Sequence, residues 1–400
     1  MKDVIIIGAG ASGLVSAITA ARRGKKVTIL EKNDKCGKKL LITGSGKCNY
    51  WNIDQNIKHY HSSNNELLDK IITIENQNKA LNFFDLLGII PKIKNGYYYP
   101  FSNMALTIQN ALVYELKKLN IEVIYNFEVT EIIKKDYFII NPKGENITAK
   151  KIILSSGSKA CPKTGSDGIG YTLANSLGHN IINPNPALVQ LKGEGNYFKK
   201  WNGIRTEATL SLYEDDKLIK KETGEIQLTD YGISGIVTFN LSRFVSINLK
   251  KHEEKILINF MPWVKESAYA WLKKQSKLNY PIDQTLERFL NYKLVNIIIK
   301  KSKIKSNSFK KLSEDEFKNL INTLTHFTII IKDTNSFDKA QVCSGGIPLT
   351  EINLKTMESL KTKGLYFSGE IIDVDGDCGG YNLGFAWMSG IIAGENVWLE

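Results

Sequence analysis

The sequence predicts an α/β protein built on a parallel sheet, and three stretches near its start predict it. Residues 3–7 form a short run, Asp3, Val4 and three isoleucines, right for a strand buried on both faces. The run leads straight into Gly8-Ala9-Gly10-Ala11-Ser12-Gly13, then into small and apolar residues to Arg23 that read as a helix ended by Gly24. A second apolar run, residues 27–30, closes on Glu31. Strand, glycine-rich turn, helix, strand and acid, in this order, are the fingerprint of a dinucleotide site.

Each position has its own chemistry. Gly8 allows a sharp turn out of the strand, Gly10 lets a pyrophosphate approach the main chain, and Gly13 lets helix and strand pack closely. The helix start offers free N–H groups and the positive end of a dipole. Glu31 lies where it can accept hydrogen bonds from an adenosine ribose, and its charge disfavours a 2′-phosphate there.

Four hundred residues suffice for a large core and more than one domain. No apolar run approaches the roughly 20 residues that a membrane-spanning helix needs. The chain starts directly on the first strand, without the pattern of a secretory signal. The five cysteines, at 36, 48, 161, 343 and 378, show no C-x-x-C spacing, which argues against a zinc site or a disulfide framework. A reducing, cytoplasmic setting and no metal are therefore expected. The net charge of +12 allows attraction to nucleic acid or other anions. Lysine is spread along the whole chain rather than gathered in one patch, so a nucleic-acid partner is not the favoured reading.

Past Glu31, residues 32–49 are dense in Gly, Lys and Asn and read as a loop wrapping a cofactor rather than a core element. Residues 64–89 carry the spacing of an amphipathic helix, 95–100 read as an aromatic turn, and 105–119 as a second helix. Strands follow at 121–125 and 129–133, then a β-meander to residue 148. The buried strand 151–154 runs into Ser155-Ser156-Gly157, small residues that let a nucleotide pass near the backbone. A helix is expected to end near Leu177.

From about 187 to 262 the pattern becomes β-rich, with strands at 207–213, 217–221, 225–228, 246–249 and 256–260. From about 263 to 325 it is helical and rich in lysine, read as a solvated face. Residues 328–332 read as a return to the first sheet. The expected organisation is a cofactor domain from 1–186 and 326–400, interrupted by a β-rich insertion at 187–262 and a helical one at 263–325.

The last stretch is the second informative block. A strand ends in Gly369-Glu370, and Gly379-Gly380-Tyr381-Asn382-Leu383 opens a helix running from Gly384 to about Trp398. An acid at a strand end suits a polyol, and a Gly-Gly turn at a helix start presents N–H groups to an anionic ring edge. The pair suits a flavin whose adenosine half is held by the N-terminal block.

These strings, together with residues 43–49, 99–102, 164–171, 229–235 and 343–347, resemble the HI0933-like flavoproteins over nearly the whole chain. The resemblance implies a glutathione-reductase-type FAD domain made from both chain ends, with a β-barrel-like and helical insertion. It implies that Gly8, Gly10, Ala11, Ser12 and Gly13 hold the pyrophosphate and that Glu31 holds the ribose. Lys32, Lys38, Gly46, Lys47, Cys48 and Asn49 would wrap the cofactor, and the Val129 backbone would meet the adenine. Ser156 and Gly157 stand where related enzymes often have Thr-Gly. Gly369 and Glu370 would meet the ribityl chain, and Asn382 and Leu383 the flavin pyrimidine edge.

The expected function is an FAD-dependent oxidoreductase acting on a small organic substrate. No second G-x-G-x-x-G follows a strand, so a reduced nicotinamide, NAD(P)H, would act only as a transient co-substrate. Alternatives are a flavin amine oxidase using O2, an RNA-modifying flavoprotein and a redox sensor. No catalytic acid or base stands out. Tyr381 and Cys48 are candidates by position, and His179 and His326 by residue type alone. Substrate identity and oligomeric state are not legible.

Overall fold

The computed structural model describes residues 1–249, 251–278 and 280–397. The chain forms two compact units, one from residues 1–185 with the described residues from 340 onward, the other from 186–339. The first stretch begins β1 (Lys2–Ile7), α1 (Ala11–Arg22), β2 (Val27–Leu30), α2 (Lys38–Ile42), β3 (Trp51–Asn52), β4 (Tyr60–His61), α3 (Ile74–Leu86), β5 (Pro91–Lys94) and β6 (Tyr97–Pro100). It continues α4 (Ala105–Lys118), β7 (Glu122–Ile124), β8 (Ile132–Lys134), β9 (Phe138–Ile140), β10 (Ile147–Leu154), α5 (Ile169–Ser176) and β11 (Ile182–Ala187). The second unit runs β12 (Leu191–Glu194), α6 (Phe198–Trp201), β13 (Arg205–Glu214), β14 (Lys217–Leu228), β15 (Gly232–Ser234), α7 (Ile236–Asn248), β16 (Glu254–Asn259), α8 (Ala268–Ser276), α9 (Ile282–Leu286), α10 (Tyr292–Lys301), α11 (Glu314–Thr325) and β17 (Phe327–Thr334). The chain then adds β18 (Val342–Gly346), β19 (Ile352–Asn353), β20 (Glu358–Ser359), β21 (Leu365–Phe367), β22 (Asp375–Gly376) and α12 (Tyr381–Asn396).

The first unit is organised on a sheet of order β19-β20-β21-β10-β1-β2-β7. β21, β10, β1, β2 and β7 run parallel. β1 is central, and its Ile5 and Ile6 are fully buried, each stabilising the fold by about 1.5–3 kcal/mol. The chain leaves β1 to β2 on one side and reaches β10 on the other. A crevice is therefore expected beyond the carboxyl end of β1, where Gly8 begins.

Helices α1 and α12 pack closely because their contact is made of small residues. A Cβ on Gly390 would lie 2.8 Å from the Ser12 carbonyl oxygen, and one on Gly394 2.6 Å from that of Ser16. The matching order of these pairs makes the two helices parallel. α12 begins eight residues before the level of α1's first residue, a lead of about 12 Å at 1.5 Å per residue. Residues 384–394 of α12 are buried all round, as befits a core helix.

The second unit closes a barrel of order β12-β15-β14-β13-β16-β17. Ala208, Leu210 and Leu212 of β13 and Ile256 and Ile258 of β16 alternate inward and are fully buried. Beside it, α11 starts with a capping box between Ser313 and Glu316, and α10 buries Leu294, Val295 and Ile298.

Several sequence expectations are corrected. Residues 246–249 are not a strand: Val237, Leu241 and Val245 bury at helical spacing, and α7 runs to Asn248. The strands expected at 217–221 and 225–228 are one strand, β14. Residues 328–332 belong to β17, which pairs with β12 and β16 in the barrel rather than with the large sheet. The helix over 64–89 is split, because Thr73 caps a new helix at Ile74 through the Asn76 N–H. The aromatic turn at 95–100 is a hairpin of β5 and β6, turned by Asn95-Gly96 with both φ positive (51° and 82°). Residues 38–42 form the short helix α2 rather than loop. The strand over 129–133 is displaced to β8, leaving Val129 in the preceding loop. The last helix starts at Tyr381, and Trp398 lies outside the described residues.

Candidate active site

The turn after β1 is shaped by contacts that no side chain could share. A Cβ on Gly8, whose φ is +101°, would sit 2.7 Å from the Ser155 carbonyl oxygen. One on Gly13 would sit 2.0 Å from the Gly8 carbonyl oxygen. Gly10 is the opposite case, with nothing within 4 Å of its Cβ direction. It caps α1 without a side-chain hydrogen bond, so the first N–H groups of the helix, at Ala11, Ser12 and Gly13, have no intrahelical acceptor. The Ser12 hydroxyl turns inward and donates to the Ser368 carbonyl at 3.2 Å.

Glu31 is 5% exposed. Its Oε2 accepts the Ala9 N–H at 2.7 Å, and its Oε1 accepts the Asn33 N–H at 2.8 Å and the Asn33 side-chain amide at 2.6 Å. A carboxylate has about four acceptor positions, so one remains beside the glycine-rich turn. The Glu31 carbonyl accepts the Phe127 N–H at 3.0 Å, which carries the segment holding Val129 past the end of β2.

At the end of β10, the Ser156 hydroxyl is buried without a hydrogen-bond partner. A Cβ on Gly170 would lie 1.8 Å from that oxygen, and Gly157 follows with φ +75°. Gly369, also at φ +75°, packs against Ser12 and donates its N–H to Ser389 Oγ at 2.9 Å. Ser368 joins the two ends of the unit, with its Oγ 2.8 Å from Ser155 Oγ and 3.3 Å from Ser16 Oγ.

The second helix start is built by Gly379 and Gly380, at φ +140° and +97°. Asn52 donates to the Gly379 carbonyl at 2.9 Å, and a Cβ on Gly380 would strike the Trp51 backbone at 2.7 Å. Gly380 caps α12 with no side-chain bond. The Asn382 amide is spent on the Gly376 backbone, accepting its N–H and donating to its carbonyl, both at 2.8 Å. What Asn382 and Leu383 present at this end is their backbone N–H groups.

The sequence matches the HI0933-like protein Rossmann domain over residues 2–396. The chain belongs to the HI0933-like family. It is 37% identical to the 3-dehydro-bile acid delta(4,6)-reductase of Clostridium scindens, over 99% of this chain and 98% of that one. It is 28% identical to the ribosomal RNA dihydrouridine synthase of Haemophilus influenzae, over 97% and 96%. In fold it is similar to a flavocytochrome c3 fumarate reductase, with TM-score 0.51 and 14% identity, covering 99% of this chain and 78% of that one. It is also similar to the 3-ketosteroid-delta4-(5alpha)-dehydrogenase of Rhodococcus jostii RHA1, with TM-score 0.51 and 12% identity, covering 99% and 96%. This HI0933-like chain is an oxidoreductase with an FAD-binding type of Rossmann fold.

The residues fit such a cofactor. Two parallel helices offer N-termini without side-chain caps, about 12 Å apart along their axes, and each suits an anionic or polar group. An unpartnered buried hydroxyl, Ser156, stands beside the first.

The other expected residues of this HI0933-like chain have protein contacts of their own. Lys32 pairs with Asp167 at 2.6 Å and Glu128 at 3.4 Å, so its amine is committed to carboxylates. Lys38 pairs with Asp34 at 2.8 Å. The lysine that reaches Glu370 is Lys39, at 2.7 Å, and the second Glu370 oxygen accepts the Cys343 N–H at 3.2 Å. Gly46 has φ +82°, and Lys47 beside it is exposed. Asn49, with its amide nitrogen facing the acceptors, donates to the Trp51 carbonyl at 2.9 Å and the Tyr98 carbonyl at 3.2 Å.

Cys48 is fully buried, and burial pushes its thiol up to about 12, leaving no thiolate for chemistry at neutral pH. Tyr381 is 6% exposed, with its phenol pushed up by burial and its ring stacked on His59 at 4.5 Å. His179 is a satisfied core group, with Nδ1 2.9 Å from Glu351 and Nε2 2.7 Å from Ser359 Oγ. His326 lies at the end of α11, with Nδ1 2.8 Å from Thr325 Oγ1.

The sequence reading missed Lys39 and a cluster of His59, His61 and Asp377. The signal was present as His59-Tyr60-His61, two imidazoles at strand spacing. Among the described residues, no group of His, Cys, Asp and Glu is arranged to hold a metal ion, and no helix is long and apolar enough to cross a membrane.

Proposed function

We propose that this chain is an FAD-dependent reductase that saturates a C=C bond conjugated to a carbonyl in a small organic substrate. A reduced nicotinamide, NAD(P)H, is the proposed transient electron donor. The observation that carries this reading is the end-to-end 37% identity to a protein named as a delta(4,6)-reductase. The name of the 28% relative, a dihydrouridine synthase, also denotes adding two hydrogens across a conjugated double bond. The two differ in substrate and share the bond type, so the bond type is what the comparison supports.

When bound, FAD supplies the hydride chemistry. The chain's own groups bind, orient and polarise. The N–H groups of Ala11, Ser12 and Gly13 and the start of α1 would hold the diphosphate. Glu31 would use its remaining acceptor position on a ribose hydroxyl, and Ser156 and Glu370 would contact the linker region. The uncapped start of α12, through the N–H groups of Asn382 and Leu383, would stabilise negative charge at the flavin edge.

A second reading, an enzyme that reduces uracil bases in RNA, is favoured by the dihydrouridine synthase relative and by the net charge of +12. One experiment separates them. Anaerobic stopped-flow of the flavin-loaded protein with NADH and NADPH should bleach the flavin absorbance. Re-oxidation by a conjugated enone and not by RNA supports the small-substrate reading. Re-oxidation by RNA alone replaces it, and no bleaching by either nicotinamide overturns the proposed donor.

A further inference from the structure

Strand β4 pairs antiparallel with β22, with His61 opposite Asp375 and Tyr60 opposite Gly376. The Asp377 N–H continues the ladder to the His59 carbonyl at 2.8 Å. This pairing sets the Asp377 carboxylate between two imidazoles, with Oδ2 3.0 Å from His59 Nδ1 and Oδ1 3.2 Å from His61 Nε2. The other nitrogen of His59 lies 3.2 Å from Asp54 Oδ2, and Lys58 Nζ meets the same oxygen at 3.2 Å. Both nitrogens of His59 thus face carboxyl oxygens, so each can exchange a proton with an acid.

The four groups alternate acid and imidazole along one hydrogen-bonded line. Side-chain exposure falls from 49% at Asp54 to 23% at His59 and 10% at Asp377, and is 13% at the last member, His61. Asp377 lies two residues before the Gly379-Gly380 turn that opens α12, and the first residue of that helix, Tyr381, stacks on His59. The neighbouring Asp373 takes no part in the line, because Ser62 and Ser63 donate to it.

We propose that Asp54, His59, Asp377 and His61 form a proton relay that carries solvent protons to the start of α12. The proposal rests on the reductase reading, because saturating a C=C bond consumes one hydride and one proton. FAD, when bound and reduced, would supply the hydride for one C–H bond. The electron pair of the π bond forms the other with a proton released from His61. His59 refills His61 through Asp377, and Asp54 refills His59 from solvent, so each turnover takes one proton from water. These are positioning and relay residues, and a clamp joining β4 to β22 is the alternative that the test must exclude.

The first readout needs neither substrate nor cofactor. Nitrogen-15 NMR of the full chain should show ring nitrogens of His59 and His61 hydrogen-bonded to one carboxyl group, and Asp377→Asn should shift the signals of both imidazoles together. Two imidazoles that respond independently overturn the relay. The second readout is proton uptake, followed with an indicator dye while the flavin-loaded protein is reduced photochemically. His59→Gln keeps hydrogen-bonding groups and carries no proton. Its uptake should slow on the order of a hundredfold and recover with added imidazole. Wild-type rates in His59→Gln overturn the proposal. Should Asp377→Asn fail to fold, Asp54→Asn, at the exposed end, must still slow uptake, and unchanged uptake there counts against the relay. If no enone re-oxidises the reduced protein, the reductase reading fails while both readouts still decide whether the relay exists.

Discussion

Glu31 and Glu254 are both buried carboxylates, one at the end of β2 and the other at the start of β16, and they are held in opposite ways. Glu31 accepts three N–H donors, at 2.6–2.8 Å. Glu254 is 1% exposed, and neither of its oxygens accepts a hydrogen bond from an N–H or hydroxyl donor. It stands opposite Glu214 in the register of β13 and β16, with Asp215 nearby. Burial first, and then repulsion from Glu214, pushes its carboxyl up to about 8. A buried carboxylate surrounded by donors is a prepared acceptor in the first unit. A buried carboxyl without donors is a group that stays protonated in the barrel.

Removing the donors' acceptor should have the largest effect. Glu31→Ala leaves the N–H groups of Ala9 and Asn33 facing an empty space in the core, at about 1–3 kcal/mol for each unsatisfied group. Urea unfolding should show a loss of about 3 kcal/mol, and the purified protein should hold little flavin by absorbance. Full stability with full flavin content would mean that Glu31 is a passive core group and would erase the contrast with Glu254.

The barrel should respond to pH in the opposite sense from a salt-bridged acid. Glu254 titrates near 8 when folded and near its ordinary 4.5 when unfolded, so between these values the folded chain keeps a proton that the unfolded chain has lost. Stability therefore falls as pH rises from about 5 to 8, by about 3 kcal/mol. Glu254→Gln, neutral at every pH, should flatten that fall and melt higher than the parent at pH 8. Parallel melting curves for the two proteins from pH 5 to 8 would show that Glu254 has a partner after all.

The same contrast explains what the sequence discloses. The first fifty residues are legible because their contacts are local: Gly8, Gly13 and Glu31 meet across one turn and one strand. The second helix start is legible from Gly379-Gly380 for a related reason, since two adjacent positive φ values need glycine. Asp377 and His61 meet across 316 positions, and only the pairing of β4 with β22 joins them. The choice of Lys39 over Lys38 as the partner of Glu370 depends on the phase of a five-residue helix, α2, that composition had disguised as loop. Likewise α7 is rich in Ser, Thr and Asn, and its buried Val237, Leu241 and Val245 are spread too thinly to outweigh them.

Ser156 carries the contrast to a single hydroxyl, a buried polar atom without a hydrogen-bond partner beside the start of α1. Glu254 escapes its cost by keeping a proton, and a hydroxyl has no such escape. If the oxygen waits for the cofactor, Ser156→Ala should act in opposite directions on two measurements. The flavin-free protein should gain up to about 1 kcal/mol in urea unfolding, since a desolvated hydroxyl is removed and no bond is lost. Affinity for FAD, titrated by fluorescence quenching, should fall about three- to tenfold, the worth of one hydrogen bond. A variant that loses stability without flavin and binds FAD as tightly as its parent would place the hydroxyl's partner in the folded protein itself. Ser156 would then be a structural group, and the first helix start would hold its cofactor through Gly10, Glu31 and the backbone alone.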